Sequence, residues 1–124
     1  MPEETELLIR GVIGAAIEVH RLLGPGYIES IYERALCHEL DLRGIRHERR
    51  MEIVVPFKDI QIPGQRIDMI VDNRLILELK AVEAIAPIHE AKLLSYMKTL
   101  NIRAGLIVNF HETQLKKGLR RFVL

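Results

Sequence analysis

The chain has 124 residues, 28% of them charged and 48% hydrophobic, with a formal net charge of +1. That length suits one domain with a real core, spanning 1–124, and the composition excludes a disordered chain. The near-neutral balance excludes a global basic field, so any polyanion has to be met by a local patch. The lone Cys37 excludes an internal disulfide. No apolar run reaches the roughly 18 residues of a membrane span. The acidic start MPEETELLIRG lacks the shape of a signal peptide, so the expected location is cytoplasmic.

From Glu4 to Leu23, apolar residues fall at Leu8, Val12, Ala15, Val19 and Leu22. Steps of four and three predict a helix face, which Ile9, Ile13 and Ile17 widen. GPG at 24–26 ends it. A second helix is predicted over Ile28–Arg43, with Ile28, Tyr32, Leu36 and Leu40 in line and Gly44 as the stop. The period then changes to two. Met51, Ile53 and Val55 predict a strand, PFKDIQIPGQ reads as a turn-rich connection, and Ile67, Met69 and Val71 predict a second strand. Leu75, Leu77 and Leu79 predict a third. A third helix starts near Pro87 and carries Leu93, Met97 and Leu100 inward. AGLIVNF, 104–110, reads as a central strand covered on both faces. ETQLKKGLRR reads as a last short helix. The order predicts an α/β fold with helices on a mixed sheet.

The second and third strands carry three charges, Asp68, Glu78 and Lys80. Glu78 and Lys80 share a face, because side chains alternate along a strand. Asp68 joins them only in one register. A two-residue loop pairs Val71 with Arg74 and turns Asp68 away. A three-residue loop, Asp72–Arg74, pairs Val71 with Leu75 and sets Asp68 beside Glu78. The alternation leans towards the second, which would gather Ile67, Met69, Leu77 and Leu79 on the opposite face. Two adjacent carboxylates repel and resist desolvation. A divalent cation relieves both, and an oxygen set with open positions suits Mg²⁺ or Mn²⁺. Such an ion activates water against phosphorus, and Lys80 would orient that water or offset the developing charge. The plainer reading is an exposed hairpin with a weak surface pair.

A second constellation lies in LGPGYIESIYERAL, where Gly26, Glu29 and Tyr32 have the spacing G-x-x-E-x-x-Y. Glu29 and Tyr32 share a helix face. Glu33 follows four residues after Glu29, a mildly unfavourable pair of like charges and a hint that one is held for another purpose. With GPGYIESIYERALCHEL, RIDMIVDNRLILELKAV, HEAKLLSYM and GLIVNF in this order, the chain from about Leu7 to Phe122 resembles the GxxExxY family of the PD-(D/E)xK nuclease superfamily. The resemblance implies a restriction-endonuclease-like αβββαβ core. It implies Asp68 and Glu78 as metal ligands, the Leu79 carbonyl as a third, Lys80 as the catalytic lysine, and Glu29 as an acidic ligand, direct or through water. The third helix of the family offers a glutamine where this chain has Lys92, with Tyr96 on the same face. A lysine cannot accept hydrogen bonds and is cationic. It would take over phosphate or water contacts, or mark a weakened site.

The expectation is thus a nuclease dependent on Mg²⁺ or Mn²⁺, acting on nucleic acid with DNA as the first candidate, and able to work as a homodimer. The alternative is a binding or accessory module of the same fold. Lys116, Lys117, Arg120 and Arg121 could grip a nucleic-acid backbone, as could Arg46, His47, Arg49 and Arg50, although a solvated face is the commoner origin of such runs. His89 could line the site or simply begin a helix. Histidine and cysteine spacing gives no zinc site, GPGY is no phosphate loop, and the few aromatics give no stacking platform.

Overall fold

The structure, a computed structural model, describes all 124 residues. Helix α1 runs over Glu3–Leu23 and α2 over Glu29–Leu42. Three strands follow, β1 (His47–Phe57), β2 (Ile60–Val71) and β3 (Leu75–Lys80). Helix α3 (Pro87–Leu100) leads to β4 (Ala104–Asn109), and a 3₁₀ turn at Leu115–Gly118 leads to β5 (Leu119–Val123). The strands form one sheet in the order β1-β2-β3-β4-β5. Only β3 and β4 are parallel, joined by the α3 crossover, so the sheet is mixed. A five-stranded mixed sheet between helices is consistent with a restriction-endonuclease-like fold.

Two cores lie on the two faces. Ile9, Val12, Ala15, Ala16 and Val19 of α1 and Tyr32, Leu36 and Leu40 of α2 pack on Met69, Val71, Leu75, Leu77, Leu79 and the alternate β4 residues Ala104, Leu106 and Val108. Across the sheet, Leu93, Tyr96 and Met97 of α3 meet Ile53, Ile67, Ile70, Ile76 and Ile107. Every residue of β4 is buried, as its unbroken apolar run requires. Acidic Glu3, Glu4 and Glu6 suit the positive start of α1, and Gly24, at φ 68°, ends it.

Several expectations are corrected. The chain after His111 forms no closing helix. Gly118 folds so close to the Asn109 carbonyl that a Cβ there would overlap it, and the following residues pair antiparallel to β4. PFKDIQIPGQ is no loose connection but the tip of a long hairpin, with Phe57 paired to Ile60. Beyond Ile53 the two strands stand clear of the sheet as an arm, exposing Val54, Val55, Phe57, Ile60 and Ile62. Pro56 and Pro63 are tolerated there because β1 is an edge strand and β2 has no second neighbour in the arm. Ile67 packs with the α3 core rather than with Met69, Leu77 and Leu79. Leu22, Ile17 and Ile28 are exposed, so the buried faces of the first two helices are narrower than their apolar patterns.

Candidate active site

The hairpin register decides where the acids go. Val71 pairs with Leu75, Ile70 with Ile76 and Met69 with Leu77, the register of a three-residue loop. The left-handed residues are the first two of that loop, Asp72 and Asn73 at φ 50° and 53°, not its last. They are the residue types that tolerate this region best. The β2–β3 ladder ends at Met69 and Leu77. There the strands part and a side chain takes over from the backbone: Asp68 Oδ2 accepts the N–H of Leu79 at 2.8 Å. Continuing the register sets Asp68 opposite Glu78.

Glu78 is only 2% exposed, and its Oε2 is buried without a hydrogen-bond partner. Burial first, and then the Asp68 charge, push its carboxyl above the usual range, against the pull of Lys80 and Lys92. Lys80 Nζ lies 3.5 Å from that oxygen and Lys92 Nζ 3.9 Å. Both approach as charges without completing a hydrogen bond. The strand thus places Glu78 and Lys80 together, and α3 brings the second ammonium from the facing layer.

Glu29, at the first turn of α2, faces the parted strands. With Ser30, Glu33, Arg50, Arg66, Asp68 and Leu79 it lines a cleft of about 370 Å³. Burial, and the charges of Asp68 and Glu33, raise the Glu29 carboxyl, while Lys80 opposes them. The tyrosine of the G-x-x-E-x-x-Y stretch has another task. Tyr32 is fully buried, donates its hydroxyl to the Gly24 carbonyl at 2.5 Å and accepts the Tyr27 N–H at 3.1 Å. Its ring stacks on Phe110 at 4.5 Å. It fixes the loop that turns α1 into α2, and Gly26, at φ 116°, lets that loop turn. Of the two helix acids, Glu33 is the one with a partner, Arg50 at 3.5 Å.

The remaining residues divide. Tyr96 is buried beside Lys92 and its hydroxyl accepts Gln65 Nε2–H at 2.7 Å. His89 Nδ1 accepts the Ala86 N–H at 3.0 Å, so this histidine does begin the helix. Burial and the two nearby lysines lower its pKa. The basic C-terminal run does not gather at the acids. Lys116 lies by Ile17, His20 and Arg21 on the α1 side, Lys117 is exposed on the same turn, and Arg121 is held by Glu6. Arg120 pairs with Ile107, the β4 partner of Glu78, two strands away. Sequence reasoning missed Glu33 as an ion-paired wall and Asn109 altogether. Asn109 is 1% exposed and grips Val82 through both its N–H (3.1 Å) and its carbonyl (2.8 Å), fixing the exit of β3 just past Lys80. Only its position as a polar residue inside an apolar run could have marked it.

A family model described as the PD-(D/E)XK nuclease superfamily matches residues 6–122. The chain belongs to that superfamily. No curated protein and no solved structure matches it. PD-(D/E)XK nucleases generally use divalent metal ions, and membership implies a nucleic-acid substrate. No three carboxylate, imidazole or thiol groups converge as a metal-holding set. What the site offers is a pair of acids, Asp68 and Glu78, with the Leu79 backbone beside them and one buried carboxylate oxygen left unpartnered. An all-oxygen set of that size fits a hard divalent ion that keeps several of its waters.

Proposed function

We propose that the chain is a metal-dependent nuclease that hydrolyses phosphodiester bonds of nucleic acid, DNA foremost, and that within the superfamily it is of the GxxExxY kind. The buried, unpartnered Glu78 oxygen beside Asp68 and Lys80 carries this reading. A carboxylate is retained at such cost where a cation is to be received. Asp68 and Glu78 would hold Mg²⁺ or Mn²⁺, with the Leu79 carbonyl as a further donor and Glu29 reaching it through water. When bound, the ion supplies a nucleophilic water and polarises the phosphodiester. Lys80, 14% exposed and tethered two residues from Glu78, holds an ammonium where the attacking water or the developing phosphorane charge is met. Gly26, in the loop leading to Glu29, and Tyr32, one turn into α2 with its hydroxyl bonded back to that loop, support the finer family assignment.

The test is incubation of the purified protein with labelled single- and double-stranded DNA and RNA, with Mg²⁺, Mn²⁺ or a chelator. Asp68→Asn and Glu78→Gln run beside it. Asn at 68 keeps an oxygen for the Leu79 N–H, so the sheet is spared. The expected result is metal-dependent cutting that falls at least about a hundredfold in both variants, with unchanged circular dichroism. Full cutting by both would discard the assignment. Metal binding without cutting of any substrate would favour the accessory module instead, a reading that the cation at Lys92 supports.

A further inference from the structure

Lys92 stands closer to the acidic pair than a substrate contact needs to. Its Nζ, carried on α3 in the layer that faces the sheet, is 3.9 Å from the unpartnered Oε2 of Glu78 on β3. The two lysines at this oxygen differ in freedom. Lys80 is 14% exposed and shares the strand with Glu78, so its stem has nowhere to go. Lys92 is 42% exposed, and its four-carbon stem can swing into solvent without disturbing α3. Neither ammonium completes a hydrogen bond to Oε2.

We propose that Lys92 is a resident counter-ion, which holds the acidic pair together when no metal is bound and must leave for a divalent cation to enter. The inference rests on the metal-site reading above and adds its regulation. Two acids that repel and resist burial need positive charge in every state of the protein. At the Glu78 oxygen Lys80 is one cation and Lys92 the second. A divalent ion beside Glu78 brings both charges at once, so the Lys92 ammonium becomes a repelling neighbour and is driven outward. The cost of expelling it lowers metal affinity. This is a threshold for loading rather than a defect in the site.

Titration calorimetry with Mn²⁺ and with Mg²⁺, in the absence of nucleic acid, tests this on the full chain. Lys92→Gln is expected to bind about tenfold tighter than the parent, roughly 1.4 kcal/mol. Lys92→Arg, which keeps the cation, is expected to bind like the parent. Lys98→Gln, which removes the same charge from an exposed position of α3, is expected to change affinity by less than about twofold, since exposed distant charges are screened. A second readout needs no metal titration: without metal at neutral pH, Lys92→Gln should melt lower than the parent, and saturating Mn²⁺ should reverse that order. Equal or weaker metal binding by Lys92→Gln, or an unchanged metal-free melting point, overturns the counter-ion role while leaving the metal site standing. Failure of parent and variant alike to bind either ion removes the metal-site reading, and this inference with it.

Discussion

Tyr32 shows how a residue that marks a site can serve it indirectly. Its hydroxyl bridges Gly24 and Tyr27, and its ring lies flat on Phe110, which directly follows Asn109. One side chain therefore ties the loop before Glu29 to the end of β4. Tyr32→Phe keeps the ring and removes two hydrogen bonds to backbone groups. It is expected to cost about 1–3 kcal/mol in urea unfolding, because the partners are left unpaired. It should also weaken metal binding if Glu29 loses its place; an unchanged unfolding midpoint would show that water replaces the hydroxyl. At this scale Asp68, Glu78 and Lys80 stood out as charges inside strand patterns, while their register, which a slip of one residue overturns, was open between two loop lengths and is decided by the pairing of Val71 with Leu75. Glu33, Arg50 and Asn109 were not legible. Their importance depends on what α2, β1 and β3 bring beside them, and no local spacing encodes that.

Among the elements, strand content hid where composition looked wrong for it. Pro56, Pro63 and Gly64 made the hairpin arm read as a connection, and only an edge position permits such residues in strands. The stretch read as a closing helix holds a 3₁₀ turn with Lys116 and Lys117 and the start of β5 with Arg120 and Arg121, and charge is also what keeps an edge strand from pairing with strangers. The arm's ladder hydrogen bonds run only between its own two strands, and its outer edges face solvent. Its amides from Val54 to Gln65 are expected to exchange with solvent at least about a hundredfold faster than those of β3 and β4, measured by hydrogen–deuterium exchange. Equal protection would mean that the arm is covered by something in solution.

For the whole molecule, the acidic site works against folding until a cation arrives. In the folded chain burial raises the carboxyl pKa of Glu29 and of Glu78 above the ordinary value of about 4.5. From about that value upward, through the raised folded pKa, the native state holds more protons than the unfolded one. Stability contributed by these two groups therefore falls as pH rises through that window. His89, with a lowered pKa, has the opposite sign, and Glu6 and Glu18, also lowered, act only below the window. The comparison must then be made against the parent protein: without metal, the melting temperature of Glu78→Gln minus that of the parent should grow from pH 4.5 towards neutrality. A difference independent of pH would rule out the strain. Saturating Mn²⁺ should erase the advantage of the variant, since only the parent carries the full acidic pair.

Tyr96 gives this chemistry a colour. The chain has no tryptophan and three tyrosines, so at wavelengths longer than the weak phenylalanine bands its near-ultraviolet absorption belongs to the phenols. The Tyr96 phenol is buried and accepts the Gln65 side-chain N–H, and the Glu78 charge is the largest electrostatic influence on it after burial. Any event that neutralises Glu78 or Asp68 changes the field across that ring and shifts its absorbance. Subtracting the Tyr96→Phe spectrum isolates the signal. The wall of the site is thus its own optical probe, and a metal titration can be followed without a dye or a substrate.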